Sequence, residues 1–353
     1  MRVLALTRYV RKGASSRLRM CQYVEPLYSM DINVSVLPLL RASYLDRFYA
    51  GVPTKWSEVA GDYVKRLGGL FKARHFDLLW IEKELFPYIP AWAERLLASS
   101  GVRYVVDYDD AVFHSYDLHR NALVRKVLGK KIDSVMRHAA VVVCGNSYLA
   151  ERASKAGARR IEIVPTVIDL QRYLMLEPAV AQEFIRIGWM GSLSTVKYLR
   201  AVASALQTTS TKIPLKLIVV GARCELPGID VEFRPWSEDS EVEEIQHFDI
   251  GIMPLHQGPW ELGKCGYKLI QYMACGKPVI ASPVGFNQEI VQHGLNGYLA
   301  NDVDSWREAL EELCADADTR RRMGERGRIS VEKMYCLQKT APQMARIFHS
   351  IAG

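Results

Sequence analysis

Two stretches of this chain combine glycine, hydroxyl and cationic residues in spacings that suit a diphosphate. The first is Gly188-Trp-Met-Gly191-Ser192-Leu-Ser194-Thr195-Val-Lys197. An apolar strand runs into a glycine, hydroxyl residues follow, and a helical pattern begins. Such a junction aims backbone N–H groups and a helix dipole at an anion. Gly191 lets the main chain approach closely, Ser192 and Thr195 either cap the helix or donate to phosphate oxygens, and Lys197 adds a point charge. The plain alternative is a capped helix with no ligand. The second stretch is Gly263-Lys264-Cys-Gly-Tyr-Lys268-Leu-Ile-Gln271-Tyr-Met-Ala-Cys-Gly276-Lys-Pro278. Written as a helix, Lys264, Lys268 and Gln271 fall at i, i+4 and i+7 and share one face. Two ammoniums there repel unless an anion or water separates them. With an amide beside them they suit a diphosphate and an adjoining ribose or sugar hydroxyl; a solvated lysine face is the alternative.

Two further motifs lie in the first half. Val105-Val-Asp107-Tyr-Asp109-Asp110 carries a strand straight into three acids. Crowded carboxylates need solvent, cations or a chemical role. Three readings stay open: Asp107 or Asp109 has a function in a cleft, the acids cap a loop, or they bind a metal. No further ligand cluster supports the metal, so none is expected. Arg11-Lys-Gly13-Ala-Ser-Ser-Arg17-Leu-Arg19 repeats the glycine-then-helix arrangement. Arg17 and Arg19 are candidates for an acceptor phosphate, against a simple Ser-capped helix. Arg234 and Trp236, in Arg-Pro-Trp-Ser, are candidates for lining a base or sugar pocket, with buried packing as the alternative. The histidines show no ligand or triad spacing.

The elements that must position these residues alternate short β-rich runs with helical stretches. Expected strands are Val3–Leu6, Asn33–Leu37, Leu78–Ile81, Tyr104–Asp107, Val141–Cys144 and Ile161–Val164. In the second half they are Ile187–Met190, Leu215–Val220, Val231–Phe233, Ile250–Met253, Val279–Ala281 and Gly297–Leu299. Their near-continuous Val/Ile/Leu character fits parallel strands buried on both faces. Helices over Leu85–Ser99 and Ser305–Ala315 suit crossovers. The pattern predicts two α/β domains, 1–168 and 180–335, with a break near Pro165–Pro178. A last helix at about 336–350 is expected to return to the first domain. Ligands of such sheets bind at the carboxyl ends of the strands.

Composition narrows the function classes. The chain has 353 residues, with 49% hydrophobic and 24% charged side chains, an ordinary globular balance. No apolar run approaches the roughly 20 residues that span a bilayer, and Met1-Arg-Val-Leu-Ala-Leu-Thr-Arg8 reads as a strand, not a signal peptide. Seven widely spaced cysteines without a CxxC pair argue against disulfides and zinc, so a reducing cytoplasm is expected. The net charge is +7. Arg120, Arg125, Lys126, Lys130, Lys131 and Arg137 cluster against one acid, Asp133. That cluster reads either as a solvated helix face or as attraction to an anionic surface, a phospholipid or a phosphate-bearing acceptor. No motif supports nucleic-acid binding.

The stretch from Gly188 to Leu299 resembles the family-4 (group 1) glycosyltransferases. The resemblance rests on Met273-Ala-Cys-Gly-Lys-Pro-Val-Ile-Ala281-Ser-Pro-Val-Gly285, Glu289-Ile-Val, Gly294-Leu-Asn-Gly297-Tyr-Leu and Asp249-Ile-Gly-Ile-Met-Pro254-Leu, with Val164-Pro-Thr-Val-Ile-Asp169 upstream. It is strong across the second domain and weak across the first. It implies a GT-B fold, in which two Rossmann-like domains face a central cleft. It also implies retaining transfer of a sugar from a nucleotide diphosphate-sugar, without a metal or other cofactor. The subgroup it is most similar to makes bacterial surface polysaccharides, which implies a saccharide or lipid-linked acceptor and a place at the inner face of the membrane. On this resemblance Lys197, Lys264 and Lys268 neutralise the diphosphate at Gly191, Ser192 and Thr195. Gln271 faces the ribose, Gly13 borders the donor phosphate and the acceptor, and Asp109 sits where the family often has a histidine, which implies that Asp109 or Asp107 orients an acceptor hydroxyl or the transferred sugar. There are departures. Two family glutamates eight positions apart are Gly263 and Gln271 here, with Glu261 near the first, and an arginine of the phosphate loop is Ser192. They keep two other classes in play: a non-catalytic protein binding a nucleotide-sugar or glycan, and a sugar-nucleotide epimerase.

Overall fold

The apolar runs become two all-parallel sheets in a computed structural model that describes residues 1–176 and 183–352. Strands β1 (Arg2–Tyr9), β2 (Asn33–Leu40), β3 (Leu78–Glu82), β4 (Tyr104–Tyr108), β5 (Val141–Cys144) and β6 (Ile161–Ile163) form the first. Its order is β2-β1-β3-β4-β5-β6. Strands β7 (Ile185–Met190), β8 (Leu215–Val220), β9 (Val231–Arg234), β10 (Ile250–Met253), β11 (Val279–Ala281) and β12 (Gly297–Leu299) form the second, in the order β12-β11-β10-β7-β8-β9. Helices cover both faces, so Val3, Leu4, Ala5 and Leu6 on β1 and Leu217, Ile218, Val219 and Val220 on β8 are all buried. Each such Val, Leu or Ile side chain contributes about 1.5–3 kcal/mol of transfer free energy. Each order reverses once, between β1 and β3 and between β7 and β10. In an open α/β sheet that reversal opens a crevice outside the carboxyl ends of the two strands, and it is there that both glycine loops lie.

The chain divides into two units. Unit 1 comprises Met1–Thr166, Gly263–Cys265 and Leu337–Gly353, and unit 2 comprises Val167–Leu262 and Gly266–Cys336. The expected second-domain start at residue 180, and Pro178 at the end of the expected break, lie outside the described residues. The final helix, Leu337–Ala352, belongs to unit 1. There Tyr23 Oη and Thr340 Oγ1 lie 2.8 Å apart, and the Phe348 ring packs edge-on at 5.2 Å against Trp80.

Helix boundaries depart from expectation where local chemistry intervenes. Only Trp92–Ser99 of the predicted Leu85–Ser99 is helical. Pro87 and Pro90 lack the amide hydrogens a helix needs, and Tyr88 has a left-handed φ of 59°. The predicted Ser305–Ala315 helix starts earlier, at Val303. Asp302 accepts the Ser305 N–H at 2.8 Å and donates its own to Ser305 Oγ at 3.1 Å, a reciprocal cap. The basic segment 120–137 is two helices, Ala122–Leu128 and Lys131–His138. Lys131 does not join a solvated face. It is buried, pairs with Glu84 and donates to Phe86 O at 2.5 Å. Among the described residues no helix is long and apolar enough to cross a membrane.

Candidate functional site

In unit 1 the carboxyl ends of β1, β3 and β4 hold a dense polar nest. Gly13 precedes the helix Ala14–Arg19 without a side-chain cap. A Cβ on Gly13 would lie 2.5 Å from Tyr9 Cβ, so the loop closes this tightly only around glycine. The turn that follows aims two hydroxyls at carboxylates: Ser15 Oγ donates to Asp109 Oδ2 at 2.7 Å, and Ser16 Oγ to Glu82 Oε2 at 2.5 Å. Glu82 also accepts the Arg8 N–H at 2.7 Å. Directly after β3, Lys83 adopts a left-handed φ of 63°, a conformation that costs a side-chain-bearing residue of order 1–3 kcal/mol. It carries the ammonium to 2.9 Å from Asp109 Oδ1 and 3.8 Å from Asp110 Oδ2. Lys264 adds a second ammonium 3.7 Å from Asp110 Oδ1.

The three acids therefore differ. Asp107 is 1% exposed, and Arg19 donates to it through Nε at 2.7 Å. Burial pushes its carboxyl up to about 6, with Arg19 offsetting only part of that. Arg19 is spent: it also donates to Val164 O at 2.8 Å and Thr166 Oγ1 at 3.3 Å. The pair corrects the expectation that Arg19 and Arg17 hold an acceptor phosphate, because both residues are only 2% exposed. Burial also works to raise Asp109, but Lys83 and Ser15 outweigh it and hold it below the usual carboxylate range. Asp110 is raised, by burial and by the Asp109 charge, against Lys264 and Lys83. Of the three side chains Asp110 is the most open, at 30% against 13% for Asp109. Among the described residues no group of three or more His, Cys, Asp or Glu side chains is arranged to hold a metal ion.

In unit 2 the phosphate-loop candidate leaves β7 at Gly191. A Cβ on Gly191 would lie 2.2 Å from Trp189 Cη2 and 2.7 Å from Thr195 Oγ1. Thr195 accepts the Ser192 N–H at 3.0 Å, and the Ser192 and Ser194 hydroxyls are 2.9 Å apart. These hydroxyls brace their own turn and leave the helix start uncapped. The N–H groups of Leu193 and Ser194 have no partner among the described residues. The following segment begins as the 3₁₀ helix Val196–Val202, not an α-helix. Lys197 is exposed on it, 5.1 Å over the ring of Tyr198.

The shared face of Lys264, Lys268 and Gln271 does not form. The helix starts at Tyr267, because Gly266 before it takes a left-handed φ of 60° and residues 263–266 are not helical. Lys264 belongs to unit 1, where Asn146 Nδ2 donates to its carbonyl at 3.1 Å. Lys268 stands in the first turn, its ammonium 4.7 Å over the Trp189 ring. Gln271 is 2% exposed and donates to Tyr173 Oη at 2.7 Å. Tyr272, on the same helix, accepts the Met190 N–H at 2.9 Å. That bond ties the helix to the end of β7. The glycine loop and Lys268 thus meet on one indole ring. Gly263 has a structural cause: a Cβ there would lie 2.5 Å from Ala111 Cβ and 2.6 Å from Ala111 N, so a glutamate cannot fit. Arg234 is committed to Glu232 at 2.7 Å and Glu244 at 2.9 Å. Trp236 packs on the core and donates to Glu241 at 3.3 Å.

Some groups at these strand ends escaped the sequence analysis. Lys83 sits in no motif, and nothing in the sequence marks its left-handed backbone. Tyr198 donates to Glu261, and its ring is 5.2 Å from His256. Both partners follow β10, at the reversal of the second sheet. Tyr173, which accepts from Gln271, passes a hydrogen bond on to Glu241 Oε1 at 3.1 Å. A cleft of about 770 Å³ in unit 1, lined by Met1, Asp77, Gly101 and Arg103 among others, opens at the amino ends of the strands, away from this chemistry.

Residues 185–316 match the family model described as glycosyl transferases group 1. Over 168 residues the chain is 27% identical to N-acetyl-alpha-D-glucosaminyl L-malate synthase of Bacillus anthracis, covering 44% of this chain and 43% of that protein. Over 200 residues it is 22% identical to the putative teichuronic acid biosynthesis glycosyltransferase TuaH of Bacillus subtilis (strain 168), covering 50% and 49%. The matches thus span less than half the length of these curated relatives. Among solved structures, Anabaena HepE in complex with UDP-glucose aligns with a TM-score of 0.74 at 16% identity, over 99% of this chain and all of that one. Sucrose-phosphate synthase from Thermosynechococcus elongatus aligns with a TM-score of 0.72 at 16% identity, over 99% of both chains. These likenesses show the fold: two Rossmann-like domains with parallel sheets, as in GT-B glycosyltransferases.

Proposed function

We propose, with a group 1 glycosyltransferase domain at residues 185–316 as the premise, that the chain moves a sugar from a nucleotide diphosphate-sugar to a saccharide or lipid-linked acceptor with retention, in surface polysaccharide or glycoconjugate synthesis. One observation carries this reading: the Gly191 loop and the Lys268 ammonium converge on Trp189 at the β7/β10 reversal. Support for the donor class comes from HepE, whose structure is described in complex with UDP-glucose.

Diphosphate is the leaving group in such a transfer, so the barrier falls as its growing negative charge is stabilised. The Leu193 and Ser194 N–H groups, with Lys268 and Lys197, are the proposed donors to that charge. Each preorganised donor of this kind is worth about 2.7–4 kcal/mol. On the acceptor side, Asp109 is held ionised by Lys83 and Ser15 and orients a hydroxyl. Asp107, buried against Arg19, serves the nest and not the substrate. The acceptor oxygen attacks the anomeric carbon on the face the diphosphate leaves, and its proton passes to the departing phosphate.

The test is a panel of UDP-, GDP- and ADP-sugars incubated with saccharide and lipid-linked acceptors. Acceptor-dependent release of nucleoside diphosphate is expected, undiminished by EDTA, with the product anomer matching the donor by NMR. Release that needs added Mg²⁺ or Mn²⁺, or an inverted product, contradicts the proposal. A non-catalytic binding protein is the second reading, favoured by the packing of Gly263 and the burial of Gln271. It predicts tight donor binding with no release.

A further inference from the structure

A run of hydrogen bonds in unit 2 has its direction fixed at one end. The indole N–H of Trp236, in the loop after β9, can only donate, and Glu241 Oε2 takes it at 3.3 Å. The Glu241 carboxylate is buried at the start of the helix Glu241–Gln246, and as a carboxylate it only accepts. Arg172 Nη2 stands 3.7 Å from its Oε1. Tyr173 donates its one hydroxyl proton to that same Oε1 at 3.1 Å. The Tyr267 hydroxyl, 3.5 Å away, is the weaker acceptor. The Tyr173 oxygen is then left with lone pairs alone, and Gln271 Nε2 donates to it at 2.7 Å.

That direction decides which end of the Gln271 amide is held. Shape does not choose between amide nitrogen and oxygen; their partners do. A flipped amide would set Oε1 against Tyr173 Oη with no proton between them, a buried contact of two acceptors. Nε2 therefore faces Tyr173. The other atom, Oε1, has no hydrogen-bond partner among the described residues and is not sealed from solvent, although Gln271 as a whole is 2% exposed. Its neighbours are those of the glycine loop. Gln271 follows Lys268 by three positions on the helix Tyr267–Ala274 and so shares its side. Trp236, at the far end of the run, backs the same loop: a Cβ on Gly221 would lie 2.5 Å from Gly191 O and 3.1 Å from Trp236 Cβ.

We infer that Glu241 and Tyr173 are positioning residues that set the hydrogen-bond polarity of the nucleotide site. They hold the Gln271 amide nitrogen inward, so the group offered beside the Gly191 loop is an acceptor. The ligand must bring an O–H donor to it, as a ribose does and a deoxyribose lacking that hydroxyl does not. The inference rests on the transferase reading, in that unit 2 takes a nucleotide, and adds how the site tells one pentose from another.

The test is calorimetric titration of the full chain with UDP, GDP and ADP, and with the 2′-deoxy and 3′-deoxy counterparts of each. For the nucleotide that binds, one deoxy counterpart should bind about tenfold more weakly, the worth of one hydrogen bond at a largely buried acceptor. In Tyr173→Phe the amide loses its anchor and can rotate, so the preference should fall to about twofold or less. Glu241→Gln should do the same by another route. With its oxygen on Trp236, the new amide turns an N–H toward Tyr173, whose proton then swings to Gln271 and reverses it. Combining Tyr173→Phe with Gln271→Glu should restore the preference, because a carboxylate offers oxygen at both ends. A merely structural role would weaken ribonucleotide and deoxynucleotide alike and leave their ratio as it was. That result overturns the inference, as does an intact chain that does not distinguish the two, or a preference that the double variant fails to restore. The transferase reading survives all three, since release of nucleoside diphosphate from a sugar donor is measured apart. Binding of none of the nucleotides overturns both together.

Discussion

Asp107 shows how burial decides a residue's role. Asp107 lies two positions before Asp109 and three before Asp110, yet only Asp107 is sealed behind a guanidinium, and its carboxyl is pushed up to about 6. The folded state therefore binds this proton more readily than the unfolded chain, whose carboxyl keeps the ordinary 3.8. Its contribution to stability is full below about pH 4 and is lost as the pH rises through about 6. Asp107→Asn should remove that part of the pH dependence. Urea midpoints of the two proteins measured across this window check it: parallel curves would show that Asp107 titrates as an exposed carboxylate does. Asp109 differs because Lys83 reaches it from a strained backbone. The aspartates were legible in the sequence as a cluster. Their division of labour was not, since it depends on Arg19, Ser15 and Lys83, which lie between 26 and 94 positions from the aspartates they hold.

At the scale of elements, strands were the legible part. Both sheets are parallel and buried on both faces, which forces continuous runs of Val, Ile and Leu that no surface helix needs. Helix starts were less legible. The Lys264–Gln271 face failed on Gly266, whose left-handed φ ends any helical path from residue 263. Spacing alone reads straight through such a glycine. The Gly191 loop was legible as a glycine loop, but its hydroxyls brace the turn. A methyl at Gly191 has no room beside Trp189 and Thr195. Trp189 is buried and cannot yield, so the loop must move, at about 1–3 kcal/mol for overpacking. Gly191→Ala should therefore weaken donor binding at least about tenfold, while the protein stays folded. A thermal-shift titration with nucleotide-sugars measures it. Undiminished donor stabilisation in the variant would mean that the loop does not approach the diphosphate.

For the molecule as a whole, unit 2 carries most of the segment 185–316 that matches the family model, and the strand ends of unit 1 bring acids and cations together. The motifs of unit 2 stood out because they lie within short stretches of sequence. The polar nest of unit 1 did not, because its residues come from three strands and meet only in the folded unit. The most direct measurement is the initial rate of nucleoside diphosphate release by the intact chain and by Lys268→Ala, with the donor and acceptor that the panel identifies. Loss of this ammonium should lower kcat/KM by about 10²–10³-fold, with the thermal midpoint nearly unchanged. Equal kcat/KM in the two proteins would contradict a diphosphate gripped at the β7/β10 reversal, and with it the proposed transfer.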